Sequence, residues 1–185
     1  AAVQAQGLTD IEILSFPAHC GGPPLTIEEL SKLAGQSKAE VKEFIGCGCL
    51  GPDIHVPDCR IRRLDQCFHL LISPTLADSL QRSGACLLTS GWLTCWREEL
   101  QELPTSPAFW NKLILLHANP DAEAEQHLAE LAAFLNLPAE IMPVGLGYAG
   151  LFLAAAAGEH RQKELRRQKE ESRRQAAEAA MTLDM

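Results

Sequence analysis

The sequence lacks most of the features by which a protein's class is recognised at once. No apolar run approaches the roughly 20 residues that a membrane-spanning helix needs, because the longest, Val144 to Ala157, is short and contains three glycines. The GxSxG, GxxxxGK[ST] and HExxH motifs of hydrolases, nucleotide-binding proteins and metalloproteases are also absent. We therefore expect a soluble protein without a familiar catalytic motif.

Positive charge is scarce outside one segment. The formal net charge is −8, and Glu159 to Gln175 hold seven Lys/Arg against four Glu, which leaves −11 on the remainder. Affinity for nucleic-acid phosphates comes mainly from Lys and Arg. The acidic body therefore argues against a nucleic-acid partner.

The chain also lacks the signs of a secreted disulfide-linked protein. The first ten residues, AAVQAQGLTD, show no basic-then-apolar leader, and the cysteine count of seven is odd. Thiols are kept reduced in the cytosol, so we expect a cytoplasmic protein whose cysteines are thiols or ligands. An apolar share of 46% allows one domain with a sizeable core, which we place at 1–147, followed by a long helix over 148–185.

Apolar stretches alternate with helical patterns along this domain. The predicted strands are Ile11 to Phe16, the approach to Gly46, Ala85 to Thr89, Lys112 to His117 and Glu140 to Val144. Alternation of this kind is typical of parallel sheets. The fold class predicted is α/β, with a mostly parallel sheet flanked by helices and a long C-terminal helix.

Helix-start signals accompany these strands. Capping boxes predict one short helix that begins after Thr26 and stops at Gly35, and a second that runs from Ser37 through Phe44. Asn119-Pro120-Asp121 predicts the start of a further helix. From about Tyr148 the chain is rich in alanine and then in charge, without proline, so we expect a long helix that leads to a signalling output domain.

Cysteine is the residue that this chain has in excess. Cys20 follows the first predicted strand, Cys47 and Cys49 follow the next in a glycine-rich loop, and Cys67 opens a short helix that Pro74 should end. Strand ends of a parallel sheet meet at one edge, so these four thiols are candidate ligands of an iron–sulfur cluster or, alternatively, of zinc. None of the spacings is a CxxC pair. Cys59 is predicted in the connecting loop as a further possible ligand.

The remaining cysteines and the histidines give weaker signals. Cys86 and Cys95 are expected to pack in the core as small apolar side chains without a functional role. The same role stays open for the other cysteines. His127 and His160 lie on charged helical stretches and are expected to be solvated. His19 and His55 are near enough in sequence to the cysteine loops to serve as supplementary ligands.

The order of these motifs resembles an uncharacterised family of cysteine-containing α/β domains found in anaerobic bacteria and methanogens, partly near corrinoid methyltransferase genes. The matching segments are Cys20-Gly21, Gly46-Cys47-Gly48-Cys49-Leu50-Gly51, Arg63-Leu64-Asp65-Gln66-Cys67, Leu87-Leu88-Thr89-Ser90-Gly91-Trp92, Ile114-Leu115-Leu116-His117 and Ala133-Phe134-Leu135-Asn136-Leu137-Pro138. The resemblance covers about Ile11 to Leu153. Ser90 replaces a proline of the family pattern, one residue separates Asp65 from Cys67, and the glycine loop carries two cysteines instead of one.

The resemblance implies a cysteine-based site without naming an activity. Its thiols would be Cys20, one or both of Cys47 and Cys49, and Cys67. The residues expected to contact the cofactor are Gly21, Gly46, Gly48, Gly51 and Trp92. These glycines would allow tight turns and close backbone approach to a bound group.

Three functions are compatible with this reading of the sequence. The first is a sensory or regulatory domain that binds a cysteine-ligated metal cofactor and signals through its C-terminal helix, by which we expect it to form a homodimer. The second is an enzyme component of one-carbon or corrinoid metabolism that uses the same thiolates. The third is DNA binding, because residues 26–45 have a helix, turn, helix pattern, although Lys38 and Lys42 stand beside Glu40 and Glu43.

Overall fold

The computed structural model describes residues 7–16, 22–101 and 109–183. Its elements in chain order are α1 (Ile27–Ala34), β1 (Lys42–Gly46), β2 (Cys59–Arg63), α2 (Pro74–Arg82), β3 (Ala85–Leu88), α3 (Ser90–Leu93), α4 (Trp96–Gln101), β4 (Lys112–His117), α5 (Ala122–Leu135), β5 (Ala139–Pro143) and α6 (Gly147–Leu183). Two 3-10 turns, Gly48–Leu50 and Cys67–Leu70, follow β1 and β2. The predicted α/β class is confirmed, with parallel strands, flanking helices and a long C-terminal helix.

A three-stranded parallel sheet forms the apolar centre of the fold. Its strand order is β3-β4-β5, and β4 lies in the middle. The four residues 113–116 of β4 are at most 1% exposed. A strand is apolar on both faces only when both are covered. The predicted strands at Lys112 to His117, Ala85 to Thr89 and Glu140 to Val144 are confirmed to within about a residue.

Each face of this sheet has its own cluster of buried side chains. On one face α3, α4 and α5 contribute Leu93, Trp96, Ala124, Leu128 and Leu131. On the other face the cover comes from Phe68 in the turn after β2, from Ile72 and from Ala77 of α2. The short segment between β2 and α2 is therefore part of the core of the three-stranded sheet.

The second sheet has only two strands. β1 and β2 run parallel, with register from Lys42 opposite Cys59 to Gly46 opposite Arg63. Phe44 and Ile61 face an apolar cluster that is centred on the fully buried Leu30 of α1 and on residues after β1. Because side chains alternate along a strand, their neighbours point to the opposite face of the sheet.

The C-terminal helix covers that opposite face. α6 has 37 residues and is about 55 Å long at 1.5 Å per residue. Its first half packs against the protein, with Ala156 only 5% exposed, and it contacts the turn Cys67–Leu70. From Leu165 to Ala176 every side chain is exposed. None of the helices in the described ranges combines the length and apolarity needed to span a bilayer.

Two of the predicted elements near the N-terminus are wrong. Ile11 to Phe16 forms no strand. The predicted second helix from Ser37 to Phe44 is not formed, because Lys42–Gly46 pairs along its whole length with β2. The strand predicted on the approach to Gly46 is confirmed as β1. The helix, turn, helix pattern of residues 26–45 is therefore not formed, although the first helix has the predicted capping box at Thr26 and ends at Gly35.

Three further boundaries differ from prediction. Cys59 lies at the start of β2 and not in a connecting loop. Pro74 begins α2 instead of ending a helix, since Ser73 caps it and proline is well suited to the first helical position. The helix after β4 is capped by Asp121, which accepts a hydrogen bond from the Ala124 amide at 3.2 Å.

Candidate functional site

The carboxyl ends of β1 and β2 bring the cysteine-bearing segments together. Cys47 follows Gly46, the last residue of β1, and Cys67 comes four residues after the end of β2. The strands are parallel, so both ends lie at the same edge. The Leu64 amide donates a hydrogen bond of 2.7 Å to the Gly46 carbonyl, which extends the pairing one residue past Arg63.

Three thiols meet at this edge. The Cys47 side chain lies near Cys67, and the Cys49 side chain lies near Cys47. All three residues are half-buried, so they remain within reach of small solutes. We call Cys47, Cys49 and Cys67 the thiol cluster. The fold places these three cysteines at one edge of the two-stranded sheet, and their role as ligands stays a prediction.

Burial and mutual proximity make Cys47 and Cys49 reluctant to ionise. Burial raises the pKa of Cys47, and the neighbouring Cys67 raises it further. Burial raises the pKa of Cys49 as well, followed by the effect of Cys47. Since two thiolates side by side repel each other, Cys47 and Cys49 are thiols and not thiolates at neutral pH.

Glycine is required at two places in the loop that carries the cluster, Gly46–Gly51, which we call the glycine loop. A Cβ on Gly46 would lie 3.1 Å from Leu50 and 3.3 Å from the Cys49 sulfur. Gly51 has φ +49° and ψ 153°, a conformation essentially restricted to glycine, and a Cβ there would lie 3.2 Å from Pro24. A Cβ on Gly48 would meet nothing within 4 Å. Close packing therefore explains why glycine stands at position 46, and backbone conformation together with the approach of Pro24 explains why it stands at position 51.

Arg63 fixes the far end of the glycine loop. Its Nε donates to the Gly51 carbonyl at 2.7 Å, and its Nη2 donates to the Ile54 carbonyl at 3.1 Å. These charge-assisted bonds tie the loop to the last residue of β2. The loop is therefore held at both of its ends, by strand β1 and by this arginine.

Cys20 and Gly21, two residues predicted at this site, lie outside the described residues. The chain just after them does reach the glycine loop. The Leu25 amide donates to the Cys49 carbonyl at 2.9 Å, and Pro24 contacts the position of Gly51. Pro24 follows Cys20 by only four residues in the sequence.

The remaining predicted cofactor contact, Trp92, lies elsewhere. It packs against the α3–α5 side of the three-stranded core. Its carbonyl accepts a hydrogen bond of 3.2 Å from the Cys95 thiol. Cys86 is buried in the same core, where burial raises its pKa to about 12, and Cys59 packs beside the apolar cluster of the first sheet. Cys59, Cys86 and Cys95 are packing residues in this fold.

The described residues contain no set of three His, Cys, Asp or Glu side chains arranged to hold a metal ion. Thiols bind metals as thiolates, and these must come within about 2.3 Å of the ion. The thiol cluster is therefore a set of neighbouring thiols that would have to lose protons and close up around a metal.

Sequence reasoning missed an open cleft of about 640 Å³ at the carboxyl ends of β3 and β4. Its lining is formed by Leu71, Thr89, Ser90, Gly91, Leu116, Ala118, Asn119, Pro120, Asp121 and Ala122. Polar residues that directly follow two neighbouring parallel strands are the signal that could have revealed it.

A partly buried charged network, also missed from the sequence, joins the first sheet to α6. Arg62 donates to Glu43 at 2.8 Å and to Glu159 at 2.8 Å. His160, predicted to be solvated, has a side chain only 15% exposed and lies 3.0 Å from the Glu43 carboxylate. The Arg62 guanidinium also lies 5.8 Å from the centre of the Phe152 ring. This network holds α6 against the charged face of the two-stranded sheet.

Comparisons of the chain with family models, curated proteins and solved structures give no match. The resemblance to the cysteine-containing family of anaerobes and methanogens thus stays a prediction, and the function rests on the site itself.

Proposed function

We propose that this chain is a cytoplasmic sensory or regulatory domain in which the thiol cluster binds a cysteine-ligated metal cofactor, an iron–sulfur cluster first and zinc as the alternative. The observation that carries the proposal is the position of the Cys47 side chain, which lies near both Cys49 and Cys67. Three cysteines from two separate segments meet at one strand edge, and they remain accessible.

The electrostatics of the cluster favour a cationic occupant. Burial raises the pKa of Cys47 most, and the nearness of a second sulfur that can carry negative charge raises it further. A metal ion placed among these sulfurs would cancel the repulsion and stabilise the thiolates, with release of their protons. Cys20, four residues before a segment that packs on the glycine loop, is the candidate fourth ligand.

The signal would leave the site through the turn Cys67–Leu70. Cys67 begins this turn, Phe68 is buried under the three-stranded sheet, and α6 contacts the turn directly. A ligand bound by Cys67 would therefore change an element that α6 packs against. The proposal requires α6 to have two positions, one packed against this turn and one released from it. Binding at the cluster shifts the balance between them only if they differ in their contacts with the turn.

The exposed part of α6 would carry the signal onward, to a second copy of the chain and to an output domain. Leu151 is 59% exposed and Leu165 is 64% exposed, and they are 14 residues, two heptads, apart. Sedimentation equilibrium of the chain and of a Leu151→Glu, Leu165→Glu double variant tests this. A dimer that the double variant loses supports the helix as the interface, and a monomeric wild type refutes it.

The chemical part is tested by anaerobic purification followed by iron, acid-labile sulfide and zinc analysis. We expect metal in the wild type, with iron and sulfide equimolar for a cluster, and loss of metal in Cys47→Ser and Cys67→Ser. Cys59→Ser is the matched control, because Cys59 is also half-buried and belongs to the same sheet, at the opposite end of β2. Metal that persists in both cluster variants would refute the site.

A further inference from the structure

The thiol cluster also has the arrangement of a redox pair. Cys47 and Cys67 are 20 residues apart in the sequence, yet their side chains lie near each other at the edge of the paired strands. One follows β1 and the other follows β2, so a bond between them would join the two carboxyl ends of the first sheet. Both are half-buried, which leaves them open to a small oxidant.

We propose that Cys47 and Cys67 form a reversible disulfide when hydrogen peroxide oxidises the chain. The inference uses the thiols of the proposed function, and it describes the state that they adopt when no metal holds them. Metal binding and disulfide formation are thus alternative states of one site.

The reaction balances with peroxide as the only oxidant. One cysteine thiol first loses its proton, its thiolate attacks a peroxide oxygen, and the O–O bond breaks. A sulfenic acid forms, and the hydroxide that leaves takes up the proton lost by the thiol and becomes the first water. The second thiol then attacks the sulfenic sulfur, the S–O bond breaks, and hydroxide leaves with the thiol proton as water. The two sulfurs together lose two electrons, and one peroxide becomes two waters. A dithiol reductant reverses the change by exchange.

Cys49 is the internal competitor for this pairing. It lies near the same Cys47 side chain. Its own backbone, however, belongs to the 3-10 turn of the glycine loop, and its carbonyl is held by Leu25. A bond from Cys47 to Cys67 leaves that turn in place, because Cys47 lies before the turn and Cys67 lies on another segment.

The bond would act on α6 through the turn that begins at Cys67. Phe68 anchors this turn in the three-stranded core, and α6 lies against it. A covalent tie to Cys47 would therefore restrict the turn relative to the glycine loop. Oxidation and metal binding would therefore both alter the contacts between this turn and α6.

Peptide mapping of the full chain tests the inference. The protein is treated with a chelator or left as purified, oxidised with hydrogen peroxide, alkylated and digested with trypsin without reduction. Trypsin places Cys47, Cys49 and Cys59 in peptide 43–60 and Cys67 alone in peptide 64–82. We expect the cross-linked pair of these peptides in the chelated wild type, and its loss after reduction.

Serine variants assign the bond. The cross-linked pair should persist in Cys49→Ser and Cys59→Ser and disappear in Cys47→Ser and Cys67→Ser, with circular dichroism to establish that each variant is folded. A wild type without the cross-link, or a cross-link that survives in Cys47→Ser, overturns the inference. Cross-linking without any bound metal overturns only the metal proposal, whereas metal without cross-linking overturns only the disulfide.

Discussion

The two sheets of this protein are built on different interactions. The three-stranded sheet is apolar on both faces, and the middle of β4 is completely buried. The two-stranded sheet has one apolar face under α1, and its other face is held to α6 by Arg62, Glu43 and His160. Within the part of the chain that the structure describes, cysteines from separate segments converge only at the edge of the two-stranded sheet.

We interpret the three-stranded sheet as a rigid scaffold and the two-stranded sheet with α6 as the part that can rearrange. Apolar burial on two faces gives a unit that opens only when the protein unfolds, whereas charged contacts at a half-exposed surface can rearrange locally. A two-stranded sheet is not stable by itself, so its geometry depends on what covers it. The thiol cluster is therefore placed where a chemical change can alter packing without disrupting the main core.

The largest effect is expected from a cavity in the three-stranded sheet. Leu115 in β4 is 0% exposed, and Leu115→Ala should lower the free energy of unfolding by about 2–5 kcal/mol. Urea denaturation measures the change. Leu165→Ala, at a 64% exposed position of α6, should stay within about 0.5 kcal/mol. Equal losses in the two variants would contradict the division between scaffold and exposed helix.

A backbone substitution in the glycine loop should have the next largest effect. Gly51→Ala places a Cβ at a φ of +49° and against Pro24, which should cost about 1–3 kcal/mol. Gly48→Ala, three residues earlier, meets no atom within 4 Å and should change stability by less than about 0.5 kcal/mol. Thermal unfolding of both variants checks the contrast, and a Gly48→Ala loss as large as that of Gly51→Ala would contradict it.

Removal of Arg62 should loosen α6 rather than unfold the scaffold. Arg62→Ala leaves the Glu43 carboxylate, whose side chain is 13% exposed, without its guanidinium partner, at a cost of about 1–3 kcal/mol. Hydrogen exchange should rise over 147–161 and stay unchanged over 112–117. Arg167→Ala removes a pair with Glu164 at the surface and should cost no more than about 0.5 kcal/mol. A uniform rise through β4 would refute local docking.

Acid should release α6 in the same way. The hydrogen bond from Arg62 lowers the pKa of Glu159 below its ordinary value of 4.5, and that from Arg161 lowers the pKa of Asp10 below 3.8. A depressed pKa in the folded state stabilises the fold above the ordinary value, and this contribution disappears as the pH falls through the lowered one. Hydrogen exchange over 147–161 should therefore increase below about pH 4.5, at a higher pH than hydrogen exchange in β4. The increase should be smaller in the Glu159→Gln variant.

Local signals were sufficient for the apolar elements of the fold. The strand Lys112–His117 and the capped helix after Thr26 follow from side-chain pattern and hydrogen-bonding capacity alone. Those signals failed where partners distant in sequence decide the outcome. β2 reads CRIRR, a polar loop by composition, but Arg62 is neutralised by Glu43 and by Glu159 of α6.

The false helix at Ser37 has a similar cause. Ser37 has the side chain of a helix cap, yet its hydroxyl donates to Glu12 at 2.6 Å and accepts from the Ala39 amide at 3.1 Å. The residues that follow then pair with β2, which the local sequence does not encode. For the thiol cluster, the sequence predicted that Cys47, Cys49 and Cys67 follow strand ends, and the fold places them there. Their distances from one another depend on the register of two strands, which the local sequence does not specify.

The most direct test of the account is hydrogen exchange of the full chain in two states of the thiol cluster. One sample is kept as purified anaerobically, and the other has its metal removed and is oxidised with peroxide. We predict that exchange differs over 64–71 and 147–161, and that it is the same over 112–117. Identical exchange of α6 in the two states would contradict the central claim that the cluster reports to this helix.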